Sequence, residues 1–141
     1  NPNVAFLGRI PGTKRYTDLE RHPDNEIIEG VLIVRVESSI LYFNVENIKE
    51  EIWKKINHGT HPIKTVILDL NSSPNVDIAG ARFLKQLFID LKKKKIALKI
   101  AEARSEVRDT LRSENLEDLL GHISRFVSVD DLVVEATRKN S

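Results

Sequence analysis

His58 and His61 stand three residues apart in the stretch HGTHP, and two imidazoles at that spacing are half of a metal site. Zinc needs three or four ligands, often thiolates, and the 141 residues contain no cysteine. Disulfides, thiolate metal sites and a cysteine nucleophile are therefore excluded, and the pair reads as part of a solvated connection bearing Gly59 and Pro62. His22 and His122 stand alone. The chain has no G-x-S-x-G, no P-loop and no G-x-G-x-x-G, and Leu7 to Gly12 (LGRIPG) has too few glycines, wrongly placed, to cradle a phosphate. The remaining place for chemistry is Asn75, Asp77, Ile78, Ala79 and Gly80. A helix opening there would present free N–H groups and a positive dipole end. Asp77 is read as the helix N-cap rather than as an acid, since its charge already complements that dipole. Ile78 and Ala79 lack hydroxyls and would leave an apolar rim beside Asn75 and Asp77, which suits protein contact better than a small anion. Ser72 and Ser73, just upstream, are read as turn-formers, with phosphorylation as the alternative.

The elements that must position this junction are legible on both sides of it. Thr65-Val66-Ile67-Leu68 is a β-branched run of the kind that forms a strand covered on both faces. Asn71 to Asn75 (NSSPN) is turn chemistry. Beyond Asp77, the spacing of Gly80, Leu84, Leu87, Phe88 and Leu91 predicts a long amphipathic helix. Lys92-Lys93-Lys94-Lys95 ends it, and four lysines suit either a helix C-terminus or an anionic lipid surface.

Other strands are expected at Val4–Leu7, Val31–Val36, Leu41–Phe43, around Ile96, Leu98 and Ile100, and at Arg125–Val127. Residues 9–25 read as a long polar connection carrying Pro11, Gly12 and Pro23. A helix capped by Asn44 would bury Val45, Ile48, Ile52, Trp53 and Ile56, with Trp53 as a core-edge anchor. A third helix is expected from about Ser105 to near Asn115, with Leu116, Leu119 and Leu120 packed beyond it. Ser128 to Asp131 resembles a capping box with Asp in place of Glu. It opens a last helix whose stripe is Val129, Leu132, Val133 and Ala136, fraying from Arg138. The pattern predicts an α/β fold: a mixed, mostly parallel sheet of about four to six strands carrying about four helices. Residues 1–141 read as one domain, with 1–30 forming a first strand and long connection and 31–141 the core.

Lys+Arg 22 against Asp+Glu 21 gives a formal charge of +1, so no global electrostatic case exists for nucleic acid. No apolar run approaches the roughly 18–20 residues of a membrane-spanning helix. The piece is expected to be soluble and without a signal peptide; opening on Asn1 rather than Met suggests excision from a longer chain, with processing or trimming as the alternative.

A strand ending in Asp69-Leu70, a polar turn, then Asp77-Ile78-Ala79-Gly80 resembles the signature loop of STAS domains (sulfate transporter and anti-sigma factor antagonist). Asn3-Val4, Leu7 to Thr13, Tyr16, Glu29-Gly30 and Phe43-Asn44 together resemble the start of the cytoplasmic domain of SulP-family anion transporters. That likeness covers essentially the whole chain. It implies a non-catalytic STAS domain on the cytoplasmic face of a membrane transporter of sulfate or a related anion. The partner it implies first is the membrane part of the same transporter. Another copy of the transporter, an acyl carrier protein or a nucleotide are further possibilities the family raises, and no motif here supports nucleotide or any other cofactor. In free-standing anti-sigma antagonists the residue after the Asp is a phosphorylated Ser. Ile78 holds that position here, so that switch cannot operate at this residue. A stand-alone regulator binding a kinase or anti-sigma partner is the alternative reading. A small α/β enzyme is a third, allowed only by the fold.

Overall fold

The computed structural model describes residues 3–121, 123 and 126–140. Five strands form one sheet in the order β2-β1-β3-β4-β5: β1 (Val4–Arg9), β2 (Tyr16–Asp18), β3 (Val31–Val36), β4 (Thr65–Asp69) and β5 (Ala97–Ala101). β3, β4 and β5 run parallel, while β1 is antiparallel to both β2 and β3. β4 lies inside the parallel part and every one of its residues is buried, as the unbroken TVIL run requires of a strand covered on both faces.

The period of two in the strands splits the core into two layers. Val34, Val66, Leu68, Leu98 and Ile100 face α1 (Val45–His58), α2 (Ile78–Lys93), α3 (Ser105–Ser113) and α4 (Leu116–Leu120). Ala5, Leu7, Ile33, Ile67 and Ala101 face α5 (Val129–Asn140), whose Val129, Leu132, Val133 and Ala136 are all buried. The capping box at the start of α5 is reciprocal: Asp131 N–H donates to Ser128 Oγ at 3.0 Å and Ser128 N–H to Asp131 Oδ2 at 3.2 Å. α5 runs to Asn140, and Ser141 lies outside the described residues.

Four expectations are corrected. Leu41–Phe43 is a turn, not a strand, because Asn44 takes over its backbone: Asn44 Oδ1 accepts Leu41 N–H at 2.9 Å and its Nδ2 donates to the Ser39 carbonyl at 2.7 Å. For the same reason the Asn44 side chain does not cap α1. Among the described residues Phe126 and Val127 form no strand either; the Val127 carbonyl accepts Glu102 N–H at 3.0 Å, and Arg125 lies outside the described residues. Leu119, expected to pack, is 40% exposed because α4 is a short piece that buries only Leu116 and Leu120. Asn115, left-handed at φ 63°, separates α3 from α4 and makes the helices five among the described residues.

The polar connection after β1 hides β2. Pro11-Gly12 turns the chain with Gly12 at φ 76°, Ile10 N–H donates to the Arg15 carbonyl at 2.8 Å, and β2 returns beside β1. At the far end of α2, Ile96 N–H reaches the Leu91 carbonyl and Lys95 N–H the Lys92 carbonyl, both at 2.9 Å. This is a Schellman ending with Lys95 at φ 62°, the position glycine favours. A side chain there costs about 1 kcal/mol relative to glycine.

Candidate functional site

The loops that follow β3 and β4 leave the sheet on the same side, at the carboxyl ends of parallel strands, where open α/β sheets form their crevices. Backbone bonds sew the two loops together. Ile40 N–H donates to the Asn75 carbonyl at 2.9 Å and Asp77 N–H to the Ile40 carbonyl at 3.2 Å, with Ile40 and Val76 in a parallel bridge. Asn75 N–H adds a bond to Ser39 Oγ at 3.2 Å. Ser73 is fully buried and donates its hydroxyl to the Val36 carbonyl at 3.2 Å. A phosphate at Ser73 would have to displace that bond and enter the core; Ser72 is half-buried.

Asp77 is the knot of this seam. Its Oδ1 accepts Gly80 N–H at 2.7 Å, capping α2, and its Oδ2 accepts Tyr42 N–H at 2.9 Å, holding the other loop. One carboxylate therefore satisfies an orphan helix donor and fixes the turn that α1 starts from. Gly80 is buried against that turn, and a Cβ there would collide with the Ile40 carbonyl. The glycine is required by close approach of backbone to backbone, not by an unusual φ.

Apolar side chains crowd the outside of this knot. Tyr42 is 74% exposed, Phe43 69% and Ile78 55%, while the Tyr42 and Phe43 rings meet edge to face at 5.5 Å between centroids. Ala79 is half-buried and joins the rim to a groove of about 260 Å³ between α1 and α2, which Val45, Trp53 and Phe83 also line. Asn75 is exposed at the edge. Tyr42 and Phe43 are the residues that sequence reasoning missed as part of the rim. Reading them as a strand sent alternate side chains inward, whereas the Asn44 turn sends both to the surface. The signal was present in Asn44, a turn-former placed where only a helix cap was considered.

The other candidates do not converge. His58 closes α1, and the His61 ring meets the Thr60 hydroxyl, Nδ1 to Oγ1 at 3.0 Å. Among the described residues no group of three or more His, Asp or Glu side chains is arranged to hold a metal ion, and no helix is long and apolar enough to cross a membrane. Lys92 to Lys95 sit at the end of α2 opposite the rim.

One acidic pair lies beside the seam. Asp69, at the end of β4, is only 7% exposed; it accepts Asn71 N–H at 2.9 Å. Burial raises its pKa above the ordinary 3.8, while the Asn71 bond and the Arg35 charge on the neighbouring strand act against the rise. Glu102 is raised too, first by burial and then by the Asp69 charge. An acid whose folded pKa exceeds its unfolded one holds its proton more tightly when folded. It therefore subtracts stability as pH climbs from the unfolded value through the folded one. Asp69→Asn keeps an acceptor for Asn71 and removes the titration. The variant is expected to show a flatter dependence of the urea midpoint on pH from about 4 upward, where Asp69 subtracts stability in the parent. An unchanged slope would mean that Asp69 contributes nothing to it.

A family model described as the STAS domain matches residues 22–131. The high affinity sulfate transporter 2 of Stylosanthes hamata is 31% identical over 140 residues, which is 94% of this chain and 21% of the relative. The chain thus spans about a fifth of the length of the curated relatives it matches. Among solved structures, the murine Slc26a9 anion transporter in its inward-facing state aligns with a TM-score of 0.85 at 21% identity, over 98% of this chain and 22% of that one. The STAS domain of a SulP transporter from Vibrio cholerae aligns at 0.66 and 19% identity, over 86% of this chain and 92% of that one. A putative anti-sigma factor antagonist from Thermotoga maritima aligns at 0.59 and 16% identity, over 81% and 90%. At these identities the structural likenesses establish the fold.

Proposed function

The chain belongs to the STAS domain family, and from that membership we infer that it is the non-catalytic regulatory domain of a SulP-type anion transporter, on the cytoplasmic face of the membrane. The observation that carries this reading is one of proportion: sulfate transporters match it along 94% of its length, and it answers to 21% of theirs. The domain acts by contact. Its rim of Tyr42, Phe43 and Ile78 docks on the membrane part of the same transporter, with Asn75, Asp77, Ala79 and Gly80 shaping the loop that presents it. Three large apolar side chains grouped around a polar knot suit an aromatic-anchored protein interface, in which a few residues carry most of the energy.

Placing a photo-crosslinking amino acid at Tyr42, and separately at Ile78, in the full-length, membrane-embedded transporter tests the docking. Crosslinks to membrane-spanning segments of the same polypeptide are expected. Crosslinks found only to soluble proteins would overturn it.

The alternative, a free-standing antagonist, draws on the likeness to the Thermotoga maritima protein. Ile78 and Ala79 weigh against it, since neither can carry the phosphate such a switch needs. A reading frame with many apolar spans ahead of Asn1 favours the transporter; a short separate gene favours the antagonist.

A further inference from the structure

α2 buries one side in the core, and the side it turns outward carries charge of a single sign. At about 3.6 residues per turn, Ile78, Arg82, Lys85, Ile89, Lys92 and Lys93 share an arc of about 100°. They lie opposite the buried Leu84, Leu87 and Leu91, and each of them is exposed or half-buried. The arc opens on Ile78, which belongs to the rim, and holds no carboxylate. Asp90, the one acidic residue of α2, falls outside it and accepts Gln86 Nε2 at 2.9 Å. Lys94 and Lys95, both exposed, carry the stripe past the helix end.

Little inside the domain answers this charge. Arg82 Nε donates to Glu114 Oε1 at 3.2 Å. Among the described residues, none of Lys85, Lys92, Lys93, Lys94 or Lys95 forms an ion pair with a carboxylate. Lys92 Nζ lies 5.7 Å from the centre of the Phe88 ring, a contact that leaves its charge uncompensated. The helix dipole favours cations in the last turn only, so it accounts for Lys92 and Lys93 but not for Arg82 and Lys85. Like charges this close repel one another, and a surface of opposite sign removes that cost.

We propose that this face of α2 lies along the membrane surface, its cations holding anionic lipid headgroups beside the membrane part on which the rim docks. The inference rests on the reading of the domain as part of a membrane transporter, and adds lipid to the protein contact made by the rim. The 16 residues of α2 span about 24 Å. With Ile78 set against protein, that length carries Lys92 to Lys95 sideways to the surrounding lipid. Attraction to headgroups fades within about 10 Å, so the helix axis runs along the membrane plane and does not point away from it. Ile89 supplies an apolar contact midway. Lipid is favoured over an acidic protein because the stripe begins at the residue that the rim reading places against the membrane part.

The chain has no cysteine, so a single one can be introduced and labelled with an environment-sensitive dye. Ile89→Cys reports from the stripe, and Val134→Cys from the exposed side of α5 on the other face of the sheet. Vesicles of phosphatidylcholine mixed with phosphatidylglycerol are expected to bind the 141-residue chain, less tightly as salt rises. They should blue-shift the Ile89 label and leave the Val134 label unchanged. Lys92→Gln/Lys93→Gln is expected to weaken binding about 25-fold, at about fivefold per lysine. Lys14→Gln/Arg15→Gln removes the same charge from the exposed β1–β2 turn and should leave binding within about twofold of the parent. No binding to anionic vesicles, equal binding to phosphatidylcholine alone, or equal losses in the two double variants would overturn the proposal. So would polyglutamate that shifts the Ile89 label where the vesicles do not, since the stripe would then serve an acidic protein. The vesicles hold no transporter, so failure here leaves the crosslinking test of the rim untouched, and failed crosslinks leave the vesicle result standing.

Discussion

Alanine in place of Gly80 is expected to destabilise the chain by about 2–3 kcal/mol, seen as a lower urea midpoint at unchanged slope. Two effects compete. Alanine is the better helix former by about 1 kcal/mol, and on propensity alone the substitution in the first turn of α2 would stabilise. Against it stands the Ile40 carbonyl, which a Cβ at position 80 would strike, with Ile40 Cγ2 also only 3.1 Å away. The obstacle is backbone, so no rotamer change relieves it. Relief requires moving the turn at 38–44 and stretching the bonds from Ile40 N–H to Asn75 and from Asp77 N–H to Ile40. Overpacking of a buried site outweighs propensity. A Gly80→Ala chain as stable as the parent would show that the two loops are free to part, and the knot at Asp77 would then be incidental.

If the domain serves an anion transporter, as proposed, Ile78→Glu is expected to abolish most of that transport in the full-length protein while leaving the unfolding free energy of the 141-residue chain within about 0.5 kcal/mol of the parent. Ile78 is more than half exposed and makes no side-chain hydrogen bond, so a charged side chain finds solvent in the isolated domain. In a docked interface the same charge would be buried without a partner, and anchors of this type carry about 2 kcal/mol or more. Tyr42→Ser and Phe43→Ser should add to the loss. Asp77 is a poorer probe, although charge reversal there looks equally direct from the sequence. Removing its carboxylate takes away both the α2 cap and the Tyr42 bond, so lost transport could report damage to the fold. Normal transport by a membrane-inserted Ile78→Glu protein, with its domain folded, would remove the rim from the mechanism.

The parts of this molecule that could be read in advance are those where side-chain pattern decides structure. The buried run of β4, the stripe of α2 and the reciprocal cap of α5 all follow from local chemistry, and the mixed sheet follows from their alternation. The misses share a physical cause. At Leu41–Phe43 the residues have strand propensity, but Asn44 and Asp77 capture the backbone groups that a ladder would need. In the 9–25 connection the reverse holds. A polar stretch without hydrophobic period becomes a strand because Pro11-Gly12 turns it back onto β1, and Asn25 Nδ2 then ties it down through the Gly8 and Thr17 carbonyls. For the candidate rim, Asp77, Ile78 and Gly80 were legible as neighbours at one strand–helix junction. Its aromatic half comes from a segment 35 residues earlier, and only the fold brings Tyr42 to Asp77.

The shared carboxylate of Asp77 also governs how this corner breathes. Two amides on different loops rest on its two oxygens, so neither the α2 cap nor the Tyr42 turn opens without loosening the anchor of its neighbour. Their protons should exchange with solvent on one clock, and in Asp77→Asn, which keeps a single strong acceptor, the two rates should come apart. A partner that lifts Tyr42 would thereby unlatch the first turn of the longest helix, so that a tug at the surface is felt along its axis.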